Sequence, residues 1–229
     1  PIQKIFLLRT GLILTNCNVM PCSRKSPFHH WSAIWLLVAL WAPSAGNASD
    51  QSSAGNIERV ESYLNSLRTV EARFIQNNPD GSYAQGKLFL QRPGRLRLEY
   101  DPPVPLQLYA DGNILIHVDT ELEQVSHYPV DETPAHFLLR DQMSLRDGVT
   151  IKTFERRNRV IRIELVDDRN PDLGSVTLTL SEQPIELRSW SVTDAQGLKT
   201  DLALVDARFG GYINPNVFEF IDTFSGSGN

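Results

Sequence analysis

QRPGRLRLEYDPPVPLQLYADG, running from Gln91 to Gly112, decides how the rest of the chain is read. Leu96, Leu98 and Tyr100 alternate with Arg95, Arg97 and Glu99, the period of two that marks a half-buried β-strand. Asp101-Pro102-Pro103 breaks that strand, Leu106 and Leu108 resume it, and Ala110-Asp111-Gly112-Asn113 turns the chain back toward Ile114, Ile116 and Val118. Upstream, Leu88 and Leu90 end another strand. By parity Arg92 lies on the side of Leu96, Leu98 and Tyr100, so an arginine opens an apolar row. Its five donors form a fixed fork. A snorkelling role, with the head at the rim, is one reading. The other is that the guanidinium reaches the unpaired carbonyls at the end of a short helix and holds that helix down as a lid. Such a tie would hold the lid shut by about 1.5–3 kcal/mol.

Outward from this stretch the same texture continues. Ile57, Val60, Leu64 and Leu67 recur at helical spacing behind Asn56, which predicts one amphipathic helix over Asn56–Arg68 after a polar lead. Val70, Ala72 and Phe74 alternate, and Asn78-Pro79-Asp80-Gly81 reads as a turn. Further strands are predicted at Val160–Val166, Ser175–Leu180, Pro184–Val192 and Leu198–Ala207. A second short helix is predicted over Thr133–Arg140, with Thr133 as N-cap and Pro134 in its first turn. Two small helices cannot cover both faces of so large a sheet. The pattern therefore predicts a mainly β protein with some α: an unclosed, strongly curved antiparallel β-barrel covered by a short helical lid, with room for an apolar ligand cavity.

The chain has 229 residues and an ordinary globular composition, 41% hydrophobic and 21% charged. Met20 to Ala48 reads as a signal peptide: Arg24 and Lys25, the short apolar run Ala33 to Trp41, and Gly46-Asn47-Ala48 as the cleavage site. Pro1 to Val19 reads as upstream read-through, and 49–229 as a single domain with a loose tail from Ser225. The segment removed holds Lys4, Arg9, Arg24 and Lys25 and no acid, so the domain is more acidic than the whole chain at −5. That argues against nucleic acid as a partner. Cys17 and Cys22 precede the apolar run, so the domain has no disulfide and no lipid-bearing cysteine at the cleavage site.

Catalytic motifs are missing: no Gly-x-Ser-x-Gly, no phosphate loop, no His-Glu-x-x-His. On one extended strand, His117, Asp119, Glu121 and Glu123 would share a face able to hold a divalent metal, but a solvated turn between two strands accounts for the same residues. No cofactor, metal or reaction is expected.

GKLFLQRP, together with VEARFIQ before it and DGNILIH, TPAHFLL, TLSEQPIELRSWSVTDAQGLKTDLAL and NPNVFEF after it, resembles the LolA family, periplasmic carriers of outer-membrane lipoproteins. The likeness covers Ile57 to Asp222. It implies a hydrophobic cavity for acyl chains, loading by the inner-membrane LolCDE transporter, delivery to the outer-membrane receptor LolB, and a monomer in the periplasm. The family's arginine that ties the lid down falls on Arg92. The cavity-facing aromatic four residues on falls on Leu96, and the next on Leu98, so aliphatics replace aromatics here. The cavity candidates are Leu88, Leu90, Leu96, Leu98, Tyr100, Leu106, Leu108, Ile114, Ile116, Phe137 and Leu138. Three other readings compete: a lipid-binding or sensing domain of the same fold, such as a LolB-like receptor; an exported hydrolase; and a structural β-domain with a filled core.

Overall fold

The computed structural model describes residues 48–224, with side chains from residue 55 onward. The expected read-through and the signal peptide up to Asn47 lie outside the described residues, as does the tail 225–229. The chain begins with helix α1 (Ala48–Ser66) and then strands β1 (Thr69–Asn77), β2 (Tyr83–Gln91), β3 (Arg95–Tyr100), β4 (Leu106–Asp111), β5 (Ile114–Asp119) and β6 (Gln124–Pro129). A 3₁₀ turn at Val130–Glu132 and the four-residue helix α2 (His136–Leu139) follow. Strands β7 (Val149–Arg157), β8 (Val160–Asp167), β9 (Ser175–Glu182), β10 (Ile185–Thr193) and β11 (Lys199–Phe209) complete the fold, with a short 3₁₀ turn at Pro215–Phe218.

All eleven strands join one antiparallel sheet in the order β6-β5-β4-β3-β2-β1-β11-β10-β9-β8-β7, so β1 returns to pair with β11 and the two edges stay unpaired with each other. At about 4.8 Å per strand, the sheet laid flat would be about 50 Å wide. Among the described residues, its inner face is covered by α1, α2 and the segments flanking α2 that carry Val130, Met143 and Leu145, yet Phe74, Leu88, Ile163, Leu178 and Leu180 are fully buried within one apolar cluster. That is possible only if the sheet curls so that its inner rows pack on one another and on the helices, as the sequence predicted.

Three local expectations change. The first helix starts at Ala48, so Asn56 sits inside it rather than capping it. No proline interrupts 48–55, so nothing stops the helix from extending back through the polar lead. Thr133 does not cap α2: its hydroxyl and its N–H both donate to Val130 O, at 2.8 and 3.0 Å, which ends the preceding 3₁₀ turn. Ala135, with helical backbone angles, is the N-cap position of α2 and supplies no side-chain cap. Finally, β7 forms an edge strand that the sequence reading missed, because a bulge between Ile151 and Thr153 breaks its alternation.

Candidate functional site

Arg92 lies in the three-residue turn between β2 and β3. Such a turn keeps parity: Leu90 pairs with Leu96 and Leu88 with Leu98, and all four face inward. Arg92 follows the same row and is only 6% exposed. Its Nε donates to Arg140 O, just past α2, at 2.6 Å. Its Nη1 donates to Leu64 O in the last turn of α1 and, at 3.4 Å, to Leu67 O beyond it. These are orphan carbonyls of helix ends, where a cation is favoured. Its backbone N–H donates to Arg68 O at 2.8 Å. Burial lowers the guanidinium pKa, and neighbouring Arg68 adds to that while Asp141 opposes it. The group stays charged. Nη2 is buried without a partner in the described structure.

The same turn holds α2 through its backbone. Gly94 N–H donates to Leu139 O at 2.9 Å. Gly94 has φ of +79°, and a Cβ there would stand 2.4 Å from Gly112 Cα in the β4–β5 turn, so only glycine serves.

Along α1 a polar stripe straps the loop that follows α2. Asn65 accepts the Met143 N–H at 2.8 Å and donates to its carbonyl at 2.9 Å. Glu61 accepts the Leu145 N–H at 2.7 Å. Glu58 pairs with Arg146 at 2.7 Å, and just past the helix Arg68 pairs with Asp141 at 2.6 Å. The apolar stripe of α1 faces the sheet: Val60 and Leu64 are fully buried. The α1 helix, α2 and the loop between α2 and β7 therefore form one connected cover. It is joined to β10 where Tyr63 OH accepts the Leu187 N–H at 2.9 Å.

On the far side, a buried polar cluster meets α2 from the end of β8. Asp167 Oδ2 is 3.1 Å from Arg140 Nη2 and 2.7 Å from His136 Nε2. His136 Nδ1 faces Thr133 O at 2.8 Å, so it carries a proton. Nε2 is also 2.7 Å from Arg140 Nη2: unprotonated it accepts from Arg140, and protonated it donates to Asp167. Burial lowers the His136 pKa and Arg140 adds to this, against the pull of Thr133 O and Asp167. For Asp167, burial works to raise the pKa, but the Arg169 N–H and the charges of His136, Arg140 and Arg169 leave it below the usual carboxylate range. Ser175 lines the same small space, yet both ring nitrogens of His136 are engaged elsewhere.

Of the cavity candidates, Leu88, Leu90, Leu96, Leu98, Tyr100, Phe137 and Leu138 are buried in the main core, and Leu106 and Leu108 are half-buried against it. Burial pushes the Tyr100 pKa up to about 12, while its hydroxyl donates to Gln76 Oε1 at 2.8 Å. Ile114 and Ile116 are corrected. A two-residue turn joins β4 to β5, and Ala110 pairs with Leu115 and Tyr109 with Ile116. The register reverses parity, so Leu115 faces inward while Ile116 packs with Tyr109, Val118, Phe220 and Phe224 on the outer face. Ile114 is exposed. The shared face proposed for His117, Asp119, Glu121 and Glu123 does not form either: the strand ends at Asp119, whose carboxylate accepts the N–H groups of Glu121 and Leu122 in the turn. Val60 and Leu64 of α1 and Phe137, Leu138 and Leu139 of α2 pack into the same cluster as the sheet's inner rows. A small space between the start of α2 and the β8–β9 connection, bounded by Pro134, His136, Phe137, Asn170 and Val176, is about 10 Å³, the room of one water.

A curled sheet with an apolar inner face, closed by helices that a buried arginine holds through carbonyl bonds, describes a lidded apolar binding fold. The family model described as outer membrane lipoprotein carrier protein LolA matches residues 65–221, and the chain belongs to the LolA family. The outer-membrane lipoprotein carrier protein of Methylococcus capsulatus is 30% identical over 171 residues, covering 71% of this chain and 81% of the relative. Its counterpart from Pseudomonas aeruginosa strain PAO1 is 29% identical over 194 residues, covering 81% and 92%. A solved LolA superfamily protein from Nitrosomonas europaea covers 72% of this chain and 97% of its own, at 9% identity and a TM-score of 0.43. Among the described residues, no helix is long and apolar enough to cross a membrane.

Proposed function

We propose that this chain is a periplasmic carrier of lipoproteins. It binds their acyl chains on the inner face of the sheet when the cover lifts. Cargo comes from the inner-membrane LolCDE transporter and passes to the outer-membrane receptor LolB. The protein works as a monomer, without cofactor or catalysis.

The observation that carries this reading is Arg92. A β-domain with a permanently filled core gains little from a nearly buried arginine whose partners are helix-end carbonyls and whose Nη2 is unpaired. A lid has a use for one. Its bonds exchange readily for water when the cover lifts, and lifting exposes Leu64, Phe137, Leu138 and the inner rows of β2 and β3 together. Each acyl methylene taken from water contributes about 0.8 kcal/mol. A few methylenes therefore offset the latch bonds, and a closing latch helps expel the cargo at delivery. Against a hydrolase stands His136, whose ring has no nitrogen left to serve a serine.

The test is a release assay. Purified protein starting at Ser49 is added to spheroplasts whose own carrier is depleted and whose transporter is intact. The reading expects lipoprotein in the supernatant, bound one-to-one to the added chain. A folded protein that leaves all lipoprotein in the membrane would refute it.

A further inference from the structure

We propose that Asp167 is a second positioning residue of the lid, a latch on the opposite flank from Arg92, and that Arg140 is the point on which both close. Arg92 reaches the carbonyl of Arg140 from the β2–β3 turn. Asp167 reaches its guanidinium from the end of β8. In the strand order, β3 and β8 stand six positions apart, so α2 and Arg140 bridge the mouth of the curled sheet. Asp167 also meets His136, which begins α2, while the His136 ring ties back to Thr133 O. One carboxylate thus contacts both ends of a four-residue helix that has no side-chain cap.

The carboxylate is itself aimed. Its Oδ1 accepts the Arg169 N–H at 2.9 Å, which turns Oδ2 toward α2, and the residue is 2% exposed. The Arg140 guanidinium lies 5.2 Å over the Phe137 ring, so fixing it also fixes the apolar underside of the helix. A surface cleft of about 400 Å³, lined by His136, Leu139, Arg140 and Arg169 among others, brings water to the cluster's edge. Water can therefore replace these partners as the helix rises. Releasing either latch leaves α2 hinged on the other. The geometry stands by itself; its purpose rests on the carrier reading.

The experiment follows amide hydrogen exchange at Phe137, Leu138 and Arg140, whose N–H groups bond to Pro134, Ala135 and His136. Asp167→Asn should speed exchange at these three amides about tenfold or more while the β8–β9 ladder keeps its protection. Arg140→Met, which spares the carbonyl that Arg92 uses, should do the same if the Asn variant folds poorly. The His136 ring titration, read by NMR, should move lower in Asp167→Asn, because the carboxylate that favours its protonated form is gone. Unchanged exchange in both variants, or exchange that rises equally throughout the β8–β9 ladder, overturns the proposal. A wild-type protein that releases no lipoprotein while α2 loosens as expected overturns the carrier reading and leaves the latch standing.

Discussion

Replacing Arg92 with leucine isolates what the arginine does. The variant loses two strong charged bonds, to Arg140 O and Leu64 O, and the longer contact to Leu67 O. Two such bonds contribute about 3–6 kcal/mol, and removing a buried donor with no partner at Nη2 returns about 1–3. At the midpoints the net is about 2.5 kcal/mol, which shifts the lid toward its open form about 70-fold. The sheet should survive, because its strand pairing and the inner rows of β1, β2 and β3 do not depend on the guanidinium. The assay is binding of an apolar fluorescent probe, with energy transfer from Trp190, the one tryptophan after Ala48 and a member of the main core. Arg92→Leu should bind the probe more tightly and hold lipoprotein longer, with slower transfer to the receptor. Wild-type probe binding and wild-type transfer in a folded variant would refute the latch.

Gly94→Ala should destabilise the fold by more than about 1 kcal/mol in a denaturant titration, since it needs φ of +79° and collides with Gly112. Asn65→Ala should cost about 1–3 kcal/mol and open the loop between α2 and β7 to limited proteolysis, because two bonds to Met143 vanish together. Stability should fall as pH drops below 6.5. His136, facing Arg140 and Asp167, has a folded pKa below its ordinary 6.5, so the unfolded chain binds more protons in that window. Asp167, facing His136, Arg140 and Arg169, is also held below its ordinary 3.8, and its contribution is lost later, as pH falls through its folded pKa. Thermal melts should show His136→Gln lacking the first of these losses.

The fold was legible where turns preserve parity. The three-residue turn after Gln91 let the row Leu88, Leu90, Leu96, Leu98 and Tyr100 be followed across two strands, with Arg92 in line. It was misread at Ile114 and Ile116, where a two-residue turn reverses the face and only the pairing reveals it. The edge strand β7 hid behind its bulge. The bonds that bind the cover were not legible, for a different reason. Asn65 meets Met143 across 78 positions and Arg140 meets Asp167 across 27, and no local period connects such residues. His136 was visible as a histidine in the predicted lid, but its partner on β8 was not. Parity can say which face a side chain takes; it cannot say what stands opposite.

The central claim is that cargo acyl chains lie on the inner face of the sheet beneath the lid. It is tested most directly by placing a photo-crosslinking side chain at Leu98, on the inner row, or at Ile116, on the outer face, and loading each protein with lipoprotein from spheroplasts. The account predicts a crosslink to the acyl chain from position 98 and none from position 116. Crosslinking from 116 equal to or stronger than that from 98 would place the cargo on the outer face and contradict it.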